Sequence, residues 1–195
     1  NTTAKVAWNN TYTNDSGSKI NAKGPKEILD QLKSDTGSWV GTITPENYSI
    51  DQSTQKSNAK YTIDYSGYKA RLITANEIAQ ITGNTTWNEK TSSSIFYFDT
   101  NTTTASATCK SGNTTGCKYG WLYDRTKTIC TKYGCLNNAD SAMTGYGYWT
   151  ASSLADYSSD AWHVNYYALV GSRNVGTSDA FGVRPVITVS KSKLS

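Results

Sequence analysis

Apolar residues recur along the chain at two spacings. Ile28, Leu29 and Leu32 follow Gly24 and Pro25 at helical intervals and precede Gly37, which predicts a short amphipathic helix. A second helix is better marked. Thr74 and Glu77 form a capping box, Ile78 and Ile81 share one side, and Gly83 closes it. The preceding ARLI is expected to be extended. YTIDY at Tyr61–Tyr65 alternates as a strand does, after a polar stretch, Gln52–Lys60, that reads as a loop. Ile95–Phe98 predicts another short strand. The last third carries β patterns at Tyr146–Ala151, Ala161–Tyr166, Val170–Val175 and Phe181–Val189. The periodicity thus predicts a mixed α+β domain with an antiparallel C-terminal sheet.

Between these segments, Asn101–Asp140 is rich in Thr, Asn, Gly and Lys and shows no sustained period. A loop of that length needs an apolar anchor, and Trp121, Leu122 and Tyr123 are its candidates. The same stretch holds all four cysteines, Cys109, Cys117, Cys130 and Cys135, in two close pairs. Two local disulfides are the favoured reading, each worth about 2–3 kcal/mol, although two other connectivities remain open. A four-cysteine zinc site is disfavoured, because zinc ribbons space their ligands more tightly than TCKSGNTTGC and CTKYGC do. Disulfides imply an oxidising compartment, hence an extracellular or cell-surface location.

A length of 195 residues fits one domain with a substantial insertion. The abundance of Asn, Thr, Ser and Tyr with few prolines resembles exposed surface proteins with many polar loops. The net charge of +4 comes from lysines spread along the chain, without a basic run or a nucleic-acid motif, so no nucleic-acid partner is expected. No apolar stretch is long enough to span a bilayer, and NTTAKVAW is not a signal-peptide pattern. Any export signal or anchor is expected to have been removed.

The stretch Ser152–Ala180 has a restricted vocabulary. It contains no Lys, Glu, Gln or Met, where roughly four would be expected at the frequency of the rest of the chain. An Asn codon of the form AAY, randomised at its two adenines, reaches neither those four residues nor Trp. It does reach Leu154, Ala155, Asp156, Tyr157, His163, Tyr166, Tyr167, Leu169, Ser172, Arg173 and Thr177. Trp162 is the outsider and reads as fixed scaffold within a varied surface. The competing reading is a Tyr/Ser/Gly-rich β-hairpin with ordinary polar decoration.

ARLITANEIAQITG, GYGYWTASS, AWHVN and FGVRPVITV, in that order, resemble the C-type lectin fold in its formylglycine-generating-enzyme-like branch. More narrowly the chain is similar to the variable proteins of diversity-generating retroelements, in which adenine-directed copying errors randomise codons in the C-terminal part of the fold, and to related bacterial pilin-like surface domains. The matched segments, Ala70–Gly83 and Tyr146–Ser190, cover under half of the chain. The resemblance implies that Tyr148, Trp149, Trp162, Val164, Val170, Val175, Gly182, Val183 and Arg184 form the scaffold. The residues between them, the eleven reachable positions above, would form a solvent-facing binding region within 152–180. Tyr157, His163, Tyr166, Tyr167 and Arg173 among Ser and Gly have the composition of an antibody-like paratope. Tyr166 and Tyr167 would point to opposite faces of a regular strand, so one of them can be core. Arg184, between Val183 and Pro185, reads as a structural Arg paired with a carboxylate or carbonyls.

Three functions follow. The first is a surface-displayed, retroelement-diversified binding domain without catalysis, cofactor or metal, whose partner is a protein or glycan on another cell or phage. The second is a formylglycine-generating-type enzyme, disfavoured because Cys130 and Cys135 precede GYGYWTASS and no cysteine follows. A hydrolase built on His163 lacks a nucleophile elbow. The third is a fixed adhesive or pilin-like subunit, tied to a membrane only through an anchor outside this chain. A calcium-dependent sugar site is not expected, since Asp156, Asp160 and Asp179 are too scattered. One continuous exposed surface from Leu154 to Thr177 would separate the first function from the third.

Overall fold

The computed structural model describes residues 5–40, 46–91, 94–98, 118–123, 147–165, 168–178, 181–187 and 189. Their elements, in chain order, are α1 (Glu27–Thr36), β1 (Tyr48–Asp51), β2 (Lys60–Ile63), β3 (Arg71–Leu72), α2 (Ala75–Thr82), β4 (Phe96–Tyr97) and a one-turn α3 (Gly120–Tyr123). Then come β5 (Gly147–Ser153), β6 (Asp160–Asn165), β7 (Leu169–Asn174), β8 (Phe181–Gly182) and β9 (Pro185–Val186). The class is α+β. Five strands form one sheet in the order β4-β7-β6-β5-β8, while β1 pairs with β2 and β3 with β9.

The sheet is buried on both faces, and the alternation of side chains along β5 and β6 decides how. Trp149 pairs with His163 and Tyr148 with Val164, so Trp149 and Trp162 fall on opposite faces. Trp149, Ala151, Ala161 and Phe181 join Trp8, Ile28, Leu32, Ile63, Tyr65 and Leu72 in one core. Tyr148, Trp162, Val164 and Val170 join Ile73, Ile78, Phe98, Leu122 and Leu154 in the other. Leu72 and Ile73 are chain neighbours yet belong to different cores, as an extended segment requires. Burying each large side chain stabilises by about 1.5–3 kcal/mol.

The second predicted helix forms with its capping box complete. The Thr74 hydroxyl accepts from the Glu77 amide at 3.1 Å, and Gly83 closes the helix with φ at 73°. Glu77 also takes Arg71 at 2.6 Å. Burial alone would raise the Glu77 carboxyl, but Arg71 and Thr74 hold it below the ordinary range. Ile78 is buried, whereas Ile81 is 42% exposed, contrary to the expected shared side. Ala75 and Ala79 complete the buried face instead. In α1, Ile28 and Leu32 are buried as the spacing predicts.

Two expectations about the C-terminal sheet are corrected. It is mixed, because β8 runs parallel to β5 while its other pairings are antiparallel. Phe181–Val189 is not one strand: it divides into β8 in the large sheet and β9 beside β3. Pro185 has no N–H to give a continuing ladder, and the chain changes sheets there. β1 went unpredicted, since four residues of YSID give too short an alternation to notice. Arg184 donates to the carbonyl of Leu122 at 2.6 Å and to that of Trp121, and its guanidinium lies 5.3 Å from the centre of the Tyr148 ring. Carbonyls are its partners, and through them it joins α3 to the sheet. Within α3, Leu122 is buried and Trp121 is 59% exposed, so one of these two expected anchors serves.

Gly147 opens β5 with φ at 139°, and a Cβ there would lie 1.6 Å from the Val164 carbonyl oxygen on β6. Gly147→Ala is expected to prevent native pairing of these central strands. Loss of the cooperative urea transition and of near-ultraviolet circular dichroism would show it, and a variant with wild-type unfolding would contradict this account.

Candidate functional site

The eleven positions expected on a binding surface divide by burial. Leu154 and Ala155 have no exposed surface and are interior residues, and His163 is only 6% exposed. Asp156, Leu169, Ser172 and Thr177 are half-buried, Tyr157 is 53% exposed and Arg173 is exposed. Tyr166, Tyr167 and the four cysteines lie outside the described residues. No single continuous surface runs from Leu154 to Thr177, because His163 and its pairing partner Gly171 are buried midway. The exposed positions gather at one end of the β6–β7 ribbon, where the β5–β6 connection and the segment after β7 meet. Leu169 lies toward the other end, about 17 Å away along the strand. Ser172 faces away from Arg173, as neighbours in a strand must.

The β5–β6 connection is held by groups distant in sequence. Asn21 Nδ2 shares its two protons among the carbonyls of Leu154, Tyr157 and Asp160, at 3.1, 2.8 and 2.6 Å. The Asn21 amide donates to the Ser158 carbonyl at 2.7 Å, and Ser57 N–H to that of Ala155 at 2.8 Å. Val175 N–H reaches the Ser159 carbonyl at 2.8 Å, which ties the connection to the segment after β7. Three acceptors around Nδ2 dictate the orientation of the carboxamide and leave its Oδ1 without a partner. Tyr157 therefore stands out from a backbone with little freedom left. Arg173 enters the same end from β7, opposite Ala161.

His163 sits inside an aromatic pocket. Its ring centre is 4.1 Å from that of Phe181 and 6.1 Å from that of Trp149, and a Cβ on Gly171 would touch its Cε1 at 3.3 Å. Nδ1 finds no hydrogen-bond partner among the described residues. Burial, assisted by the charge of Arg173, pushes its pKa down to about 3. Among the described residues, no nucleophile or carboxylate hydrogen-bonds to this imidazole, as a general base would require. Nothing in the sequence marked this burial, because histidine on a polar hairpin has the same letter whether its strand is covered or open.

A concavity of about 410 Å³ lies beside β1. Residues 48–52, Thr74 and Asn76 at the start of α2, and residues 87–90 line it. Trp162 Nε1 donates to the Glu89 carbonyl at 3.2 Å, and the Trp87 ring packs edgewise on Trp162, so residues 87–90 are fixed from beneath. Among the described residues, the Glu89 carboxyl has no ion-pair or hydrogen-bond partner, and burial raises its pKa against the pull of Lys90. Sequence reasoning missed this site, since its walls come from three separate segments. Among the described residues, no three His, Cys, Asp or Glu side chains converge as metal ligands, and no helix is long and apolar enough to cross a membrane. No protein-family model, curated protein or solved structure matches the chain.

Removing the Asn21 carboxamide strips buried carbonyls of their donor. Asn21→Ala is expected to cost about 2–3 kcal/mol in urea unfolding. A loss below about 0.5 kcal/mol would mean that the clamp is not needed.

The depressed pKa of His163 makes stability depend on pH. Between pH 6.5 and about 3 the unfolded chain binds a proton that the folded chain refuses, so this contribution is complete above pH 6.5 and is lost on acidification. The slope approaches about 1.4 kcal/mol per pH unit. His163→Phe should flatten the stability profile between about pH 6.5 and pH 5, above the range where carboxylates titrate. Parallel profiles for the two proteins would remove His163 as the cause.

Proposed function

We propose that this chain is a non-catalytic binding domain of the C-type lectin fold, displayed outside the cell, whose recognition surface is the end of the β6–β7 ribbon. Its partner is a protein or glycan on another cell or phage, and it uses neither cofactor nor metal. The observation that carries the reading is Tyr157, more than half exposed on a connection whose carbonyls are engaged by Asn21, Ser57 and Val175. An aromatic on a constrained backbone offers contact area at small entropic cost, which is how antibody-like surfaces gain affinity. Arg173 is a cation exposed at the same end of the ribbon, and Asp156 and Thr177 are half-buried there.

The restricted vocabulary of Ser152–Ala180 supports diversification of this surface by adenine-directed copying. The burial of Leu154, Ala155 and His163 instead favours a fixed adhesive or pilin-like subunit, because diversifying interior positions would endanger folding. These readings differ at the level of the gene. Diversification predicts a reverse transcriptase near the coding locus and a near-copy of the segment coding for residues 148–184. The copy should differ at adenines in the codons for Asp156, Tyr157, Arg173 and Thr177 and agree at Trp149, Trp162 and Arg184. A locus with neither component would leave the fixed subunit.

A further inference from the structure

The concavity beside β1 has a shape that the loop surface lacks. Residues 48–52 all line it. Consecutive residues of a strand point to alternate faces, so a cleft touched by every one of them follows the strand's edge, for about 13 Å here. The opposite edge of β1 is already occupied by β2 in the register Tyr48–Ile63 to Asp51–Lys60. The next residue, Gln52, gives its N–H to the Ala59 carbonyl at 2.7 Å, which sets the phase of the ladder. Tyr48 and Ile50 therefore bond toward β2, and the N–H and C=O groups of Ser49 and Asp51 point into the cleft. None of these four backbone groups has a backbone partner among the described residues.

An unpaired edge of this kind is a template for another strand. Residues 87–90, held from beneath by Trp162, line the same cleft as this edge. The charges select further. Asp51 is taken by Lys60 at 2.7 Å and by Ser53 at 2.6 Å, whereas the carboxyl of half-buried Glu89, which lines the same cleft, has no partner among the described residues. A cationic side chain on the incoming strand would satisfy it.

We propose that the cleft binds an extended peptide segment of a partner protein by strand addition to β1, through the outward backbone groups of Ser49 and Asp51, with a Lys or Arg of that segment directed at Glu89. Main-chain hydrogen bonds would supply affinity, and Glu89 would supply selectivity. The cleft shares no lining residue with the loop surface, and the proposal stands whether or not that surface binds anything.

The test uses the whole chain and two capped synthetic peptides, acetyl-Thr-Val-Lys-Val-Thr-amide and the same peptide with Glu in place of Lys. Amide hydrogen exchange is followed by NMR. The Lys peptide should slow exchange at Ser49 and Asp51 and leave Tyr48 and Ile50 unchanged, since the latter already bond to β2. Ser49→Pro removes one outward donor without touching the backbone ladder to β2, losing only the exposed Ser49–Thr62 hydroxyl contact at 2.8 Å, and should weaken binding about tenfold or more. Glu89→Gln should erase the preference for the Lys peptide, and Tyr157→Ala should change nothing. Unchanged exchange at Ser49 and Asp51 with both peptides would overturn the proposal. So would equal binding to wild type and to a Ser49→Pro variant whose circular dichroism shows it folded.

Discussion

The pairing of Trp149 with His163 across β5 and β6 is the constraint on which the remaining architecture rests. With side chains alternating at every residue, that register sends Trp149 to one face and Trp162 to the other. A sheet with an indole on each face cannot leave either face to water. The N-terminal segment, α1 and the β1–β2 hairpin cover the first, and α2, Trp87 and α3 cover the second. The two tryptophans also serve as hydrogen-bond donors to their covers. Trp149 Nε1 reaches the Val6 carbonyl at 2.9 Å, and Trp162 Nε1 reaches Glu89. From the cover, Trp8 Nε1 returns to the Thr150 carbonyl at 2.9 Å.

That last bond falls where β5 and β6 lose register. Between the paired ends Trp149–His163 and Ser153–Ala161, three residues of β5 stand against one of β6. The backbone groups freed by this bulge are met by side chains and by other segments. The Thr150 hydroxyl donates to the Trp162 carbonyl at 2.8 Å, Ala151 N–H to the Ile73 carbonyl at 2.9 Å, and Tyr61 Oη to the Ala151 carbonyl at 2.9 Å. A bulge in a fully covered sheet is tolerable only with such replacements, because a buried unpaired amide or carbonyl costs about 1–3 kcal/mol. It also bends β5 into the connection that carries Tyr157. The exposed end of the ribbon is thus a consequence of how the interior is satisfied.

Much of this could be read from the chain. The capping box of Thr74 and Glu77, the buried Ile28 and Leu32, and the four β patterns of the last third depend on neighbours in sequence, and the structure has elements at each of them. The partnership of Arg184 with carbonyls was legible too, since an Arg in an apolar strand needs acceptors wherever it lies. The candidate surface was legible only in part. Tyr157 and Arg173 are exposed, whereas Leu154, Ala155 and His163 share their compositional signature and are interior.

Local order and residue vocabulary were therefore settled by the sequence alone, because capping, turn chemistry and side-chain alternation act over a few residues. Tertiary structure decided which strand faces were covered, that Asn21 would hold a connection more than 130 residues away, and that three separate segments would wall a cleft along the edge of β1. These outcomes depend on what lands opposite each residue. A histidine's neighbours across a sheet, unlike its neighbours along the chain, are set by the register of the whole.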